Sequence, residues 1–134
     1  ASGQRGIIDL LTTETSGRLV IIELKTTQDP QLPIQALDYW LRVKWHLQQG
    51  EFQRCGYFPG MQIDPRPPRL MLVAPALEFH PTCERILQFF SPEIEAERIG
   101  LGVEWRKRLQ VLFRLPGRWD GIGGLHSAAA TVEL

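Results

Sequence analysis

Three ionisable residues stand where the strands of this chain ought to be apolar: Asp9 within Gly-Ile-Ile-Asp-Leu-Leu, and Glu23 and Lys25 within Leu-Val-Ile-Ile-Glu-Leu-Lys. A buried strand excludes charge, because an unpaired ion in a low-dielectric interior costs several kcal/mol, a large share of a domain's net stability. Any fold for this sequence must turn these groups to solvent or give them something to bind. Read as strands, residues 7–12 and 18–25 are separated by a turn-rich Thr13-Glu14-Thr15-Ser16-Gly17, which suits an antiparallel hairpin. Alternation puts Ile21, Glu23 and Lys25 on one face and Val20, Ile22 and Leu24 on the other. Two steps of about 3.3 Å set the Glu23 and Lys25 Cα atoms roughly 6.6 Å apart, and a paired strand brings Asp9 alongside. Two carboxylates converging at a strand end make a hard-oxygen site suited to Mg²⁺ or Mn²⁺, with an ammonium group beside it to orient or deprotonate a bound water. The structural alternative is a Glu23–Lys25 salt bridge at a solvated edge, worth about 0–1 kcal/mol.

The next segment, residues 30–49, reads as a helix with Asp29 as N-cap, Pro30 at the first position, Pro33 still within the first turn and Gly50 closing it. Ile34, Leu37, Leu41 and Trp45 form one apolar stripe and Ala36, Trp40, Val43 and Leu47 a second, so the helix is expected to be largely buried. Between them run Gln35, Tyr39, Arg42 and His46, one line of hydrogen-bonding groups that would look at the charged strand end.

The ordered set Gly6-Ile7-Ile8-Asp9, Glu23-Leu24-Lys25 and Gln35-Ala36-Leu37-Asp38-Tyr39 resembles the PD-(D/E)XK nuclease superfamily, in particular its RecB-like branch with the pattern G-x-x-D, E-x-K and Q-x-x-x-Y. The resemblance covers residues 6–49. It implies a restriction-endonuclease-like α/β core, a mixed central β-sheet flanked by helices, and metal-dependent hydrolysis of phosphodiester bonds in DNA, as in DNA repair. Carried over residue by residue, it implies that Asp9 and Glu23 bind Mg²⁺ or Mn²⁺ with the Leu24 carbonyl as a further ligand, and that Lys25 positions or activates the attacking water. Gln35 and Tyr39 would contact the nucleic acid or the carboxylates, and Arg42 continues their line toward substrate. The family core opens with a helix, whereas only residues 1–5 precede the first strand here. That helix is expected to be missing and the chain to be part of a longer protein, possessing other domains as partners. The alternative is a nuclease-like domain of weakened chemistry that binds nucleic acid or a partner protein in a larger assembly.

Length and charge bound the rest. A chain of 134 residues suits one domain, and its formal net charge of zero counts against a protein that coats phosphate non-specifically with a basic surface. Two basic groupings soften that objection: Arg42, Lys44 and His46, and the run Arg106-Lys107-Arg108, read either as a solvated turn or as a phosphate contact. Of the three histidines, only His46 is expected near the site. Cys55 and Cys83 are too few and too scattered for a metal cluster and read as reduced thiols of a cytoplasmic, soluble protein. No run of about 18 apolar residues is present, so no membrane partner is expected. Residues 51–69 should be irregular and exposed, read either as a substrate-facing loop or as a simple connection, with a short strand at 52–58. Residues 70–74 form a parallel strand, 80–90 a helix, and 94–105 and 109–115 strands joined by a turn carrying the basic run. From Gly117 on, a loose tail is expected.

Overall fold

The computed structural model describes residues 10–25, 30–75, 79 and 81–116. Within them the chain is mixed α/β, with a five-stranded mixed sheet flanked by helices. Strand β1 (Leu10–Thr13) turns back into β2 (Leu19–Leu24), then come α1 (Leu32–Gln48), a single helical turn α2 (Glu51–Arg54) and β3 (Arg69–Pro75). Helix α3 (Pro81–Leu87), β4 (Ala96–Leu101) and β5 (Val111–Pro116) follow. In space the strands lie in the order β1-β2-β3-β4-β5. The two edge pairs are antiparallel and the interior pairs β2–β3 and β3–β4 are parallel.

This order dictates where the helices go. The strand sequence β2, β3, β4 advances in one direction, so crossovers of one hand lay their helices on the same face of the sheet. Helices α1 and α3 do pack on each other. Their shared core combines Leu19 and Ile21 of β2, Leu70 and Leu72 of β3, Leu32, Ala36, Trp40 and Val43 of α1, and Cys83 and Leu87 of α3. Those strand residues alternate with Val20, Ile22, Met71 and Val73 on the opposite face, as a pleated strand requires.

Helix α1 differs from its expected form in two ways. It starts at Leu32, with Pro33 in the first turn, where a missing N–H breaks no hydrogen bond. Pro30 lies outside the helix in a turn, and Asp29 lies outside the described residues. The Ala36–Trp40–Val43–Leu47 stripe packs into the core, and of the second stripe Leu37 is partly buried against it while Ile34, Leu41 and Trp45 are each 53% exposed. One layer of sheet and one neighbouring helix accommodate one side of a helix, and the second apolar stripe falls half a turn away from them.

Three further expectations are corrected. Residues 52–58 hold no strand but α2 and a turn, since Gly50 and Gly56 take positive φ and fold the chain back on itself. The helix expected over 80–90 is α3, which ends at Leu87, and Phe89 beyond it is 89% exposed. Val103 and Trp105 belong to the β4–β5 connection, since β4 stops at Leu101 beside a register shift opposite β5. Among the described residues both cysteines are free thiols, Cys55 exposed and Cys83 buried, and no helix is long and apolar enough to cross a membrane.

Candidate functional site

Glu23 is 2% exposed, on the helix-covered face of an interior strand one position from its carboxyl end. Its position follows from the pleat: Leu19 and Ile21 are core residues, and the next side chain on their face is Glu23. The register sets it beside Leu72 of β3, while Leu24, half-exposed on the other face, pairs with Val73. Lys25 continues the ladder by one bond, its backbone N–H donating to the Val73 carbonyl at 3.0 Å, so Glu23 and Lys25 share one end of the parallel sheet. Asp9 lies outside the described residues. Its covalent neighbour Leu10 is the register partner of Ile22, the residue before Glu23.

Helix α1 starts at the same end of the sheet, seven residues beyond β2, and runs back toward the start of β3, where the Trp40 indole N–H donates to the Pro68 carbonyl at 2.7 Å. Gln35 therefore sits near the Glu23 end, and Tyr39 one turn further on packs against the core. Lys44, half a helical rotation from Gln35, pairs at 3.0 Å with Glu93 in the segment after α3. The Gln35–Tyr39 line is thus turned away from α3, to the β1 side. Arg42 stands about 10.5 Å of helix rise beyond Gln35, exposed and ion-paired with Asp38 at 3.2 Å. His46 is not near the Glu23 end: it pairs with Glu51 at 2.5 Å at the far end of the helix. Each member of the Arg42, Lys44, His46 grouping has its own carboxylate, which dissolves it as a basic patch. Nor does the long loop after α2 open onto Glu23. The Asp64 N–H donates to the Gly17 carbonyl at 3.0 Å, fastening that loop to the β1–β2 turn at the opposite end of the sheet.

Sequence reasoning passed over Arg98. The register aligns Glu23, Leu72 and Arg98 across three strands, and the Arg98 side chain is only 14% exposed. Its Nη2 lies 3.5 Å from the Pro116 carbonyl and 4.0 Å from a Glu84 oxygen, while its buried Nε has no hydrogen-bond partner among the described residues. The alternation that singles out Glu23 applies equally to Ala96-Glu97-Arg98 and was the available signal. A second ionic assembly stands at the other end of the sheet. Arg69 bonds Glu14 and Glu97, and Arg114 reaches Glu97 as well. The hydrogen bond from Arg69, opposed by desolvation and aided by its charge, holds the Glu14 carboxyl below its ordinary value. Arg69, Glu95, Glu97, Arg114 and Pro116 line an open cleft of about 930 Å³ there. Its charges are matched within the protein, which is the signature of a structural network.

As donors, the Glu23 carboxylate and the Leu24 carbonyl are hard oxygens, the kind Mg²⁺ and Mn²⁺ take. Among the described residues no group of three or more His, Cys, Asp and Glu side chains comes together. Comparison with protein-family models, with curated proteins and with solved structures finds no match in any of the three.

Proposed function

We propose that the chain is a divalent-metal-dependent nuclease with a restriction-endonuclease-like core, hydrolysing phosphodiester bonds in DNA. The observation that carries this reading is a carboxylate buried to 2% exposure at the carboxyl end of an interior parallel strand, with a lysine two residues on at the same sheet end. Ligand sites of open α/β sheets gather at that end, and Glu23 stands there, level with Leu72 of β3. An antiparallel hairpin, a helix and then a parallel strand is also the arrangement that the motif order leads one to expect.

In this reading Asp9, Glu23 and the Leu24 carbonyl hold Mg²⁺ or Mn²⁺. When bound, the ion polarises the scissile phosphate and lowers the pKa of a coordinated water. The protein's own contribution is positional. Glu23 is fixed by the strand it belongs to, so its carboxylate needs little reorganisation to meet a cation. Lys25 orients the attacking water and balances charge on the phosphate, while Gln35 and Tyr39 hydrogen-bond phosphate oxygens or the carboxylates from the first two turns of α1.

The test is cleavage of end-labelled single- and double-stranded DNA with Mg²⁺ or Mn²⁺, with EDTA as control, comparing the wild type with Glu23→Gln and Lys25→Ala. The expected result is metal-dependent product, reduced at least about 100-fold in either variant, within the range that removing one catalytic group produces. Cleavage that survives Glu23→Gln unchanged would sink the assignment. DNA binding without cleavage would leave a binding domain of weakened chemistry.

A further inference from the structure

We infer that the β4–β5 connection, 102–110, is a phosphate-backbone clamp that holds DNA across the Glu23 end of the sheet. Because β4 runs parallel to β2 and β3, its carboxyl end lies at the same sheet end as Glu23 and Lys25. The register shows that it also projects further. Leu24 is level with Val73 and hence with Ile99, and β4 continues two residues past that level to Leu101. At about 3.3 Å per residue the connection starts roughly 6.6 Å beyond the Leu24 level, and two strand spacings place it about 9.6 Å to the side of β2. That lateral offset matches roughly three nucleotides at the 3.4 Å rise of one DNA strand.

The chemistry of the connection fits a polyanion. Arg106, Lys107 and Arg108 are exposed, against the single carboxylate of Glu104. Arg106 and Lys107 have no ion-pair partner among the described residues, unlike Arg42, Lys44 and His46 on α1. The connection is built rather than slack. Gly102 N–H donates to the Gln110 carbonyl at 2.8 Å, closing its base, and the Lys107 and Arg108 N–H groups both donate to the Glu104 carbonyl, at 2.8 and 2.9 Å. The Arg106 guanidinium carbon lies 4.5 Å from the centroid of the Trp105 ring, which limits the arginine's freedom before any ligand arrives. Two such cations, Arg106 and Lys107, on a tied turn beyond the end of the sheet, are placed to take phosphates.

The inference rests on the proposed nuclease reading for the identity of the polyanion, and its test is independent of cleavage. Binding of fluorescently labelled single- and double-stranded oligonucleotides is measured by anisotropy in EDTA over a salt series. The proteins are wild type, the triple variant Arg106→Ala/Lys107→Ala/Arg108→Ala, and Arg66→Ala, an exposed arginine already paired with Asp64 at the opposite end of the sheet. The triple variant should bind at least about 10-fold more weakly. Its slope of log K against log salt should fall by about 1.4 or more for single strands, at about 0.7 for each of the contacts of Arg106 and Lys107, with the fold retained by circular dichroism. Arg66→Ala should bind as wild type. An unchanged slope in the triple variant, an equal loss in Arg66→Ala, or no binding by the wild type at low salt each overturns the clamp. If the triple variant loses binding but the wild type never cleaves, the nuclease reading fails and the clamp stands; if Glu23-dependent cleavage is found with an unchanged slope, the reverse holds.

Discussion

The indole N–H of Trp40 donates to the carbonyl of Pro68, 2.7 Å away and buried, so the middle of α1 is tied to the residue that delivers the chain into β3. Trp40 is 1% exposed and its ring also lies 5.1 Å from the Lys44 ammonium. Trp40→Phe keeps most of the apolar volume yet strands a buried carbonyl, so it should destabilise the protein by about 2–4 kcal/mol, combining an unsatisfied acceptor with lost packing. Urea unfolding at neutral pH measures it, and a loss under 0.5 kcal/mol would mean that the contact carries no weight.

Two glycines admit no side chain, for different reasons. Gly17 has a φ of +87° and a Cβ there would stand 2.0 Å from the Gln62 carbonyl oxygen, so backbone meets backbone. At Gly100 the Cβ would lie 2.3 Å from the Phe113 ring, whose residue is its cross-strand partner. Gly17→Ala should cost about 3 kcal/mol or more, and Gly100→Ala about 1–3 kcal/mol. In a double-mutant cycle Phe113→Ala should recover most of the Gly100 penalty and none of the Gly17 penalty; additive losses at the Gly100–Phe113 pair would contradict the contact.

The Arg69 network predicts how acid acts on stability. Glu14 has a folded pKa lowered below its ordinary 4.5, chiefly by the Arg69 hydrogen bond. Its contribution is therefore fully present above about pH 4.5 and is lost as pH falls through the lower folded value. Arg69→Ala should reduce stability at pH 7 by about 1–3 kcal/mol, because Glu14 and Glu97 lose a shared partner. It should also flatten the decline between pH 4.5 and 3, since Glu14 then titrates nearly alike in both states. Asp64, lowered by its hydrogen bond from Arg66, contributes the same decline to both proteins. Urea midpoints at pH 7, 4.5 and 3 supply the comparison, and parallel curves for the two proteins would remove Glu14 from the account.

Substitutions on the two stripes of α1 should diverge. Leu41→Gln, on the stripe that stands 53% exposed, should change stability by under 0.5 kcal/mol, whereas Val43→Ala, at 3% exposure, should cost about 1–3 kcal/mol. Thermal unfolding of the two single variants decides it. Comparable losses would show that the outer stripe is also covered in solution.

The hairpin, the parallel strand β3 and the antiparallel pair around the basic turn were legible because each is a local pattern: alternation, turn residues and an apolar run. So was the face that Glu23 shares with Ile21, whereas its burial depends on the helices that cover that face, which alternation does not show. What could not be read was which of two equally apolar stripes of α1 meets the sheet, for periodicity names faces without naming neighbours. The same limit hid the partners of Arg42, Lys44 and His46. Asp38 is four residues from Arg42 and foreseeable, but Glu93 comes from the segment after α3 and only the tertiary fold brings it to Lys44. Trp105 and Val103 continue an alternation that β4 abandons at Leu101, because the register shift there ends pairing before the pattern ends.

Spatial strand order that repeats sequence order also fixes the schedule on which the sheet is built. Each strand adds to the outer edge of those already made, and none has to be threaded between two that have paired. Synthesis proceeds from the amino end, so by Pro75 both sheet neighbours of β2 and its covering helix have left the ribosome. Glu23 thus has its final strand environment while the 35 positions from 76 to 110 that precede β5 are still to come. Of the connections within the sheet, the basic turn is made last. A ribosome-bound chain stalled after Pro75 would carry the acid without the cations, separating in time the two halves of the sheet end that the finished protein brings together.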